Sequence, residues 1–534
     1  MNISVDNAII LTAGFGSRFV PFTYETPKGL LRVKGEPMVE RQVRQLHEAG
    51  VTDITLVVGY LREKFEYLVD KYGVELVLNP EYAVKNNFVS VYYVRERLKN
   101  TYILVADNWF EDNIFNATES HSWIGVSYFE GPTDEWGVTM GEDGRIERID
   151  TFGEDTWALN GPGFFTAEFS RRFAQFIEDA YEADGTDDWY WEHIIKENIA
   201  KENTPNLEIY ANKFGADRVF EFENLEQLRI YDESYRNASG NAIMQEIAGE
   251  FGVAEGELVD IAPLKEGVSN DSFTFRVEGG TQRYVFRKPG IGTDKLINRR
   301  NEKKIYELLE PLGISDEVVY FDAESGNRIT KFWDGVRVSD PFDDADLELS
   351  MRLVRSVHDK KIIVDNAFDM PKMIEYYKGL CAGVGAVRFD DFDSVLKDVG
   401  ELIEFRKRLA VPEVLCNGDF LYANVLIFEG GGSRLIDWEF GGMADPIMDV
   451  AMYGIFSCFG RERLELSLRF YLGREPKREE LARLYLYTAL GGFLWMLWAE
   501  YKQALGQEFG DYPSTMYQYM KDYFRLLNEG GFLE

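Results

Sequence analysis

The stretch Ala8–Leu31, AIILTAGFGSRFVPFTYETPKGLL, constrains the fold more than any other. Its apolar run Ala8 to Leu11 reads as a buried strand. The run breaks into glycine-rich chain at Ala13-Gly14-Phe15-Gly16, with Arg18 just beyond and Lys28 behind Pro27. Backbone N–H groups in such a loop, unobstructed where glycine lacks a Cβ, can wrap an anion. Two cations then face the same space. Open α/β sheets bind ligands at the carboxyl ends of their strands, so this is a triphosphate-handling layout.

Strand and helix signals alternate behind it. Helices are expected over Met38–Ala49, stopped by Gly50, and over Arg62–Tyr72, stopped by Gly73, with strands at Ile54–Val58, Val74–Leu78 and Tyr102–Ala106. Short connections of this kind predict an α/β domain with a mostly parallel sheet covered on both faces. Asp107 ends its strand, where a metal or substrate group is held. The pattern then turns β-rich, over Trp123–Tyr128 and Val138–Ile149, before a helix over Ser170–Ala183. Gly185–Glu192, GTDDWYWE, places acidic groups beside three adjacent aromatics. That suits a divalent cation next to an aromatic pocket for an organic cation.

At 534 residues the chain is too long for one core, and its net charge of -34 repels nucleic acid and anionic membrane. Phosphorylated ligands therefore need local cations, which raises the weight of Arg18 and Lys28. Cys381, Cys416 and Cys458 make no metal spacing or disulfide scaffold, which fits a reducing cytosol, and no signal peptide opens the chain. His47, His121, His193 and His358 show no ligand clustering. The apolar window Leu484–Ala499 is short for a membrane span and predicts a buried helix with a tryptophan-rich face.

Asp232–Asn241 reads as a connector, which sets domains at 1–237 and 238–534. The second begins with strands, a hairpin of Ser272–Val277 and Arg283–Lys288, then a charged helix over Asn298–Leu309 that carries Glu302. From Asp346 onward helices dominate, interrupted at Val414–Asp449. This is a two-lobed α+β layout with a nucleotide cleft expected between its lobes.

LTAGFGSR, ETPKGLL with Lys28 and VADN with Asp107 resemble the sugar-phosphate nucleotidyltransferases, and within them the phosphocholine cytidylyltransferase group, with Thr12 where alanine is usual. The likeness covers about residues 5–230. It implies that the loop of Leu11, Ala13, Gly14 and Gly16 holds CTP while Arg18 and Lys28 stabilise the triphosphate. It also implies one Mg²⁺ on Asp107 and on Glu192 of YWEH, where relatives often have aspartate, with Asp187 and Asp188 as rivals. Trp136 with Trp189 or Tyr190 resembles the family's choline cage. Asn87 and Ser90 are candidates for reading the base.

GVSND, FRKPGIGTDKLINRRNE, CNGDFLYAN and LIDWEFGGMADPIMDVA resemble the choline/ethanolamine kinases and aminoglycoside phosphotransferases, a protein-kinase-like family. The resemblance implies Asp419 as catalytic base and Asn424 and Asp437 as Mg²⁺ ligands. Their spacing independently allows a base, an amide oxygen and a carboxylate to converge on a phosphoryl group. By the same resemblance Arg287 or Lys288, paired with Glu302, meets the ATP phosphates under a loop that includes Ser269 and Asn270, and the Arg-x-Pro-Gly run places Arg287 there. Trp495, Trp498 and Tyr501 share one side of a helix and match the aromatics that box the trimethylammonium, with Glu439 as a complementary charge. The family's His-x-Asp is Asn417-Gly418-Asp419 here, so asparagine must organise that loop. The resulting expectation is a cytoplasmic, bifunctional enzyme that makes CDP-choline from choline, ATP and CTP. The alternatives are ethanolamine or 2-aminoethylphosphonate as the amine, or one silent domain serving as a binding module. Its partners are small molecules such as choline, phosphocholine and nucleotides. No nucleic acid or stable membrane insertion is expected, and homo-oligomer formation is open.

Overall fold

The computed structural model describes residues 2–199, 208–215, 217–264, 270–290, 297–387, 389–505 and 509–533. The chain divides into two compact units. One is Met1–Leu264 with Phe275–Gly280; the other is Lys265–Thr274 with Thr281–Glu534. Residues 238–264 thus pack with the first unit.

The first unit is built on a seven-stranded sheet of β1 (Asn7–Thr12), β2 (Ile54–Val58), β3 (Glu75–Leu78), β4 (Thr101–Val105), β5 (Trp123–Thr133), β6 (Gly153–Phe165) and β7 (Tyr210–Lys213). The order is β7-β5-β6-β4-β1-β2-β3. The four strands from β4 to β3 run parallel, with Leu11 opposite both Val57 and Val105. β6 is antiparallel to β4 and β5. Successive residues of a strand face opposite sides. Ile9 and Leu11 accordingly join the apolar cluster of Phe165, Phe173 and Trp191, while Ala8 and Ile10 join that of Val39, Val43 and Leu104. Burial on both faces is why β1 reads as an unbroken apolar run.

Helix Met38–Glu48 lies where the apolar period places it, and Gly73 caps Glu66–Tyr72 at φ 70°. Helix Phe88–Val94, FVSVYYV, was not foreseen. Its β-branched and aromatic residues favour a strand locally, and burial of Phe88, Val89, Val91 and Val94 overrides that preference. The sequence pattern reads Glu221–Leu228 as one amphipathic piece; instead Glu221 ends a short strand, Val219–Glu221, and the helix runs over Leu225–Tyr231.

In the second unit, strands Arg283–Pro289, Arg328–Lys331 and Val318–Phe321 form an antiparallel sheet with the middle one shared. Helices follow, and the expected apolar window lies in Arg478–Ala504. From Leu484 to Leu497 that helix is buried around its whole circumference, as a core helix is. It packs against Ile447–Phe456 and Tyr512–Glu529. A Cβ on Gly491 would stand 2.7 Å from Ile455, and one on Gly492 would stand 2.6 Å from the Met516 carbonyl, so the two glycines permit that approach. No helix among the described residues is long and apolar enough to cross a membrane.

Candidate functional sites

Strand β1 ends at Thr12, and the loop turns at Gly16, where φ is 69°. A Cβ there would meet the Lys28 Cβ at 2.9 Å. Gly29 is as tightly placed, its missing Cβ being 2.7 Å from that of Ala106. These two close approaches bring Lys28 to Asp107, and its Nζ donates to Asp107 Oδ2 at 2.7 Å. Arg18 lies further out, 62% exposed, with Nη1 3.3 Å from Glu223 Oε2.

A cavity of about 740 Å³ opens over this loop. Leu11, Ala13, Gly14, Gly16, Arg18, Lys28, Asn87, Ser90, Asp107, Trp136, Tyr190 and Glu192 all line it. Asn79 Nδ2 donates to Ser90 Oγ, and Asn87 Oδ1 accepts from the Trp191 amide, which ties the floor to the GTDDWYWE segment. Trp136 and Tyr190 meet edge to face with centroids 6.5 Å apart. Trp189 is not on the lining and stacks on the His193 ring at 5.6 Å. Asp187 and Asp188 also stay off the lining, and their carbonyls serve Asn86.

Asp107 Oδ1 and Glu192 Oε2 are buried without a hydrogen-bond partner. Burial pushes the Glu192 carboxyl up to about 8, with repulsion from Glu221, Asp107 and Glu135 adding to it. Glu221 is pushed up to about 8 as well, by burial and then by Asp107, while Lys28 pulls the other way. Glu135 rises to about 7 through burial and its hydrogen bond to Glu223. Crowded, oxygen-only donors with orphaned atoms fit a hard divalent cation such as Mg²⁺. Sequence reasoning missed Glu221, Glu223 and Glu135. The alternation Val219-Phe-Glu-Phe-Glu223, with acidic side chains on one strand face, was the available signal.

The second unit gathers charges around Arg287. Its guanidinium lies 3.3 Å from Glu302 Oε1 and 3.2 Å from Asp437 Oδ1, and it also donates to Glu439. Glu302 accepts from Arg299 at 2.9 Å and from Arg328 at 3.0 Å. Glu439, expected to face an organic cation, is instead buried and taken by Arg287 and Arg299, so its charge is already matched. Ser269 lies outside the described residues; Asn270 accepts from the Gly290 amide at 3.3 Å.

Asn417 performs the loop bonding expected of histidine. Its Nδ2 donates to the Asp437 carbonyl at 2.9 Å, and its Oδ1 accepts from the Asp419 amide at 3.2 Å. Asp449 accepts from the amides of Asn417 and Gly418 and bonds to the His358 ring. His358 is therefore a buried packing residue. It comes within ligand distance of Cys416 and Asp449, a grouping the chain order hid, but these atoms are spent on hydrogen bonds. Asn424 gives its Nδ2 to the Asp419 carbonyl, leaving its side-chain oxygen as the atom it offers. Burial, with Asp437 and Glu439 close by, holds the Asp419 carboxyl well above the usual range.

Trp495 is buried, donates to Met452 Sδ at 3.3 Å, and meets Phe440 and Trp498 edge to face at 6.3 and 5.9 Å. Trp498 and Tyr501 are half-buried. Phe440, Phe509 and Tyr512 join this group and were not foreseen; Phe509 packs 5.0 Å from Trp498. Burial raises the Tyr512 hydroxyl, with Cys458 and Asp419 adding to it.

Residues 8–107 match the MobA-like NTP transferase domain, and residues 260–487 match the phosphotransferase enzyme family. The chain is 36% identical over 230 residues to a choline-phosphate cytidylyltransferase of Streptococcus pneumoniae, covering 43% of this chain and 98% of that one. It is 37% identical over 238 residues to a 2-aminoethylphosphonate cytidylyltransferase of Lancefieldella rimae, covering 44% and 95%. A crystal structure of a choline kinase from Streptococcus pneumoniae is 24% identical, with a TM-score of 0.46, covering 53% of this chain and 98% of that one. The chain belongs to the cytidylyltransferase family of NTP transferases, and joined to that domain it carries a phosphotransferase domain of the choline-kinase-like kind.

Proposed function

We propose that the chain makes a CDP-linked amino alcohol in two steps, with choline as the amine. The second unit transfers the γ-phosphoryl group of ATP to the choline hydroxyl. Asp419 orients that hydroxyl and takes its proton, while Arg287, held by Glu302, faces the ATP phosphates. Trp498 and Tyr501, backed by Trp495, offer ring faces to the trimethylammonium. Asn424 and Asp437 would hold Mg²⁺, which neutralises charge on the transferred group when bound.

In the first unit a phosphocholine oxygen attacks the α-phosphorus of CTP in line, and pyrophosphate leaves. Lys28 and Arg18 meet the triphosphate on the loop of Ala13 to Gly16. Asp107 and Glu192, with Glu221 beside them, would hold a second Mg²⁺ for the same electrostatic purpose. Phosphocholine is already an anion at neutral pH, so this step needs no protein base. Trp136 and Tyr190 receive the head group, and Asn87 and Ser90 stand where a base can be read.

The observation that carries this reading is the single cavity lined at once by Lys28 and Arg18, by Asp107 and Glu192, and by Trp136 and Tyr190. Full chain incubated with choline, ATP, CTP and Mg²⁺ should yield CDP-choline by mass spectrometry, and pyrophosphate only when CTP is present. Comparable identity to the 2-aminoethylphosphonate enzyme supports that phosphonate as the second reading of the acceptor. Competition among phosphocholine, phosphoethanolamine and 2-aminoethylphosphonate, each with CTP, UTP and dTTP, decides between them. Turnover of the phosphonate alone would remove the choline reading.

A further inference from the structure

We infer that Lys28 is a placeholder for the divalent cation, so that this site admits nucleotide and metal as a coupled pair. The inference rests on reading the cavity as a nucleotide site and does not depend on the acceptor. Lys28 Nζ sits 2.7 Å from Asp107 Oδ2, in the cavity that Glu192 and Glu221 also line. Both partners are mostly buried, with 18% and 23% of their side chains exposed. The ammonium also lies 4.7 Å over the Phe19 ring. It is thus held on two sides, and its charge is spent on a carboxylate.

The same ammonium is the one the loop geometry aims at a triphosphate. A Cβ on Gly16 would stand 2.9 Å from the Lys28 Cβ and 3.4 Å from its Cδ, so the lysine stem lies against the loop and the ammonium shares the cavity with the loop residues. A divalent cation on the orphaned Asp107 Oδ1 draws the carboxylate's charge to itself and weakens its hold on Lys28 at Oδ2. Metal-free nucleotide therefore meets a neutralised lysine and unscreened carboxylates. A divalent cation taken up by Asp107 and Glu192 frees Lys28 for the phosphates. Metal and nucleotide then strengthen each other's binding by equal factors, beyond whatever chelation contributes in solution.

The test is calorimetric and needs no turnover. A CTP analogue with a methylene bridge between the α- and β-phosphorus is titrated into full chain in the presence of a chelator. Asp107→Asn should bind this metal-free analogue at least about fivefold more tightly than the parent chain, because Lys28 is released. In the Lys28→Met background the same substitution should give no gain. Tighter binding that persists without Lys28 would be a general loss of negative charge and would overturn the placeholder role. Unchanged or weaker binding by Asp107→Asn alone would overturn it as well. Melting curves and ATP-dependent phosphorylation by the same chains report that both units are folded. If no CTP analogue binds under any condition, the UTP and dTTP analogues are titrated in its place. Binding by one of those corrects the base and leaves the lysine test intact.

Discussion

Both candidate sites hold a cation against an aspartate, Lys28 on Asp107 and Arg287 on Asp437, and the two pairs are built differently. Lys28 is a single ammonium on a flexible stem, with orphaned carboxylate oxygens beside it. Arg287 is locked in a lattice in which Glu302 also accepts from Arg299 and Arg328, and Glu439 answers Arg287 and Arg299. A planar guanidinium served on several edges is pre-organised, whereas an ammonium behaves as a movable point charge. The first site is thus built for exchange of its cation and the second for keeping it. Arg299 and Arg328 let Glu302 stay neutralised whatever Arg287 does, and no comparable spare cation touches Asp107 among the described residues.

The strongest way to break the comparison is to remove the reacting groups one site at a time. Asp419→Asn should lower ATP-dependent phosphorylation roughly 10²–10⁴-fold, the range for loss of a general base, and leave CTP-dependent pyrophosphate release intact. Asp107→Asn should do the converse. Each assay controls the folding of the other unit, and a variant that lost both activities would contradict two separately working sites. Next in size is stability. Glu302→Gln removes the carboxylate that three buried guanidinium groups share, leaving Glu439 and Asp437 to answer them, and should cost up to about 3–5 kcal/mol in the melting of the second unit. Lys28→Met should change stability far less, because it breaks one pair on a cavity wall, with 18% and 23% of its side chains exposed. Equal losses in the two variants would erase the distinction between a lattice and a movable pair.

Local pattern explains what the sequence disclosed. A strand that breaks into Ala13-Gly14-Phe15-Gly16, a lysine behind a proline and a strand-end Asp107 are each readable within a few residues. So are Asn417-Gly418-Asp419 and the Asp437-Trp438-Glu439 run. What stayed hidden needs the fold. Glu135 comes from one segment and Glu221 and Glu223 from another, and all three line the cavity of Asp107 only once the sheet has formed. Glu439 looked like a ligand group because its arginine partners, Arg287 and Arg299, lie more than a hundred residues upstream. Trp189 looked equivalent to Tyr190, and the turn before helix Trp191–Ile199 sends only Tyr190 to the cavity.

The acceptor ends of the sites sharpen the comparison on a smaller scale. Trp136 and Tyr190 form an edge-to-face pair on the cavity wall, and the second unit supplies Trp498 and Tyr501 on a core helix. A well-placed ring face contributes about 1–2 kcal/mol to a quaternary ammonium. Trp136→Leu should therefore raise KM for phosphocholine roughly tenfold, and raise that for phosphoethanolamine less. The choline phosphorylation constants should stay put. Equal losses for both acceptors would mean that Trp136 packs the strand and recognises nothing.

The smallest effect is a pH dependence in how the first site answers Mg²⁺. The Glu192 and Glu221 carboxyls, ordinarily near 4.5, sit at about 8 in the folded chain. Between those values the folded state holds protons that the unfolded chain has released. Stability from these groups is therefore full below 4.5, falls as pH rises, and is gone above 8. A divalent cation competes with those protons. Near pH 6 it must displace them; near pH 9 it meets charged, mutually repelling carboxylates and relieves the whole penalty. Mg²⁺ should accordingly raise the melting temperature of the first unit by a few degrees more at pH 9 than at pH 6. Glu192→Gln should flatten that difference. A magnesium effect independent of pH in the parent chain would mean that the ion binds away from these carboxylates, and Asp107 would then have to keep Lys28 as its partner.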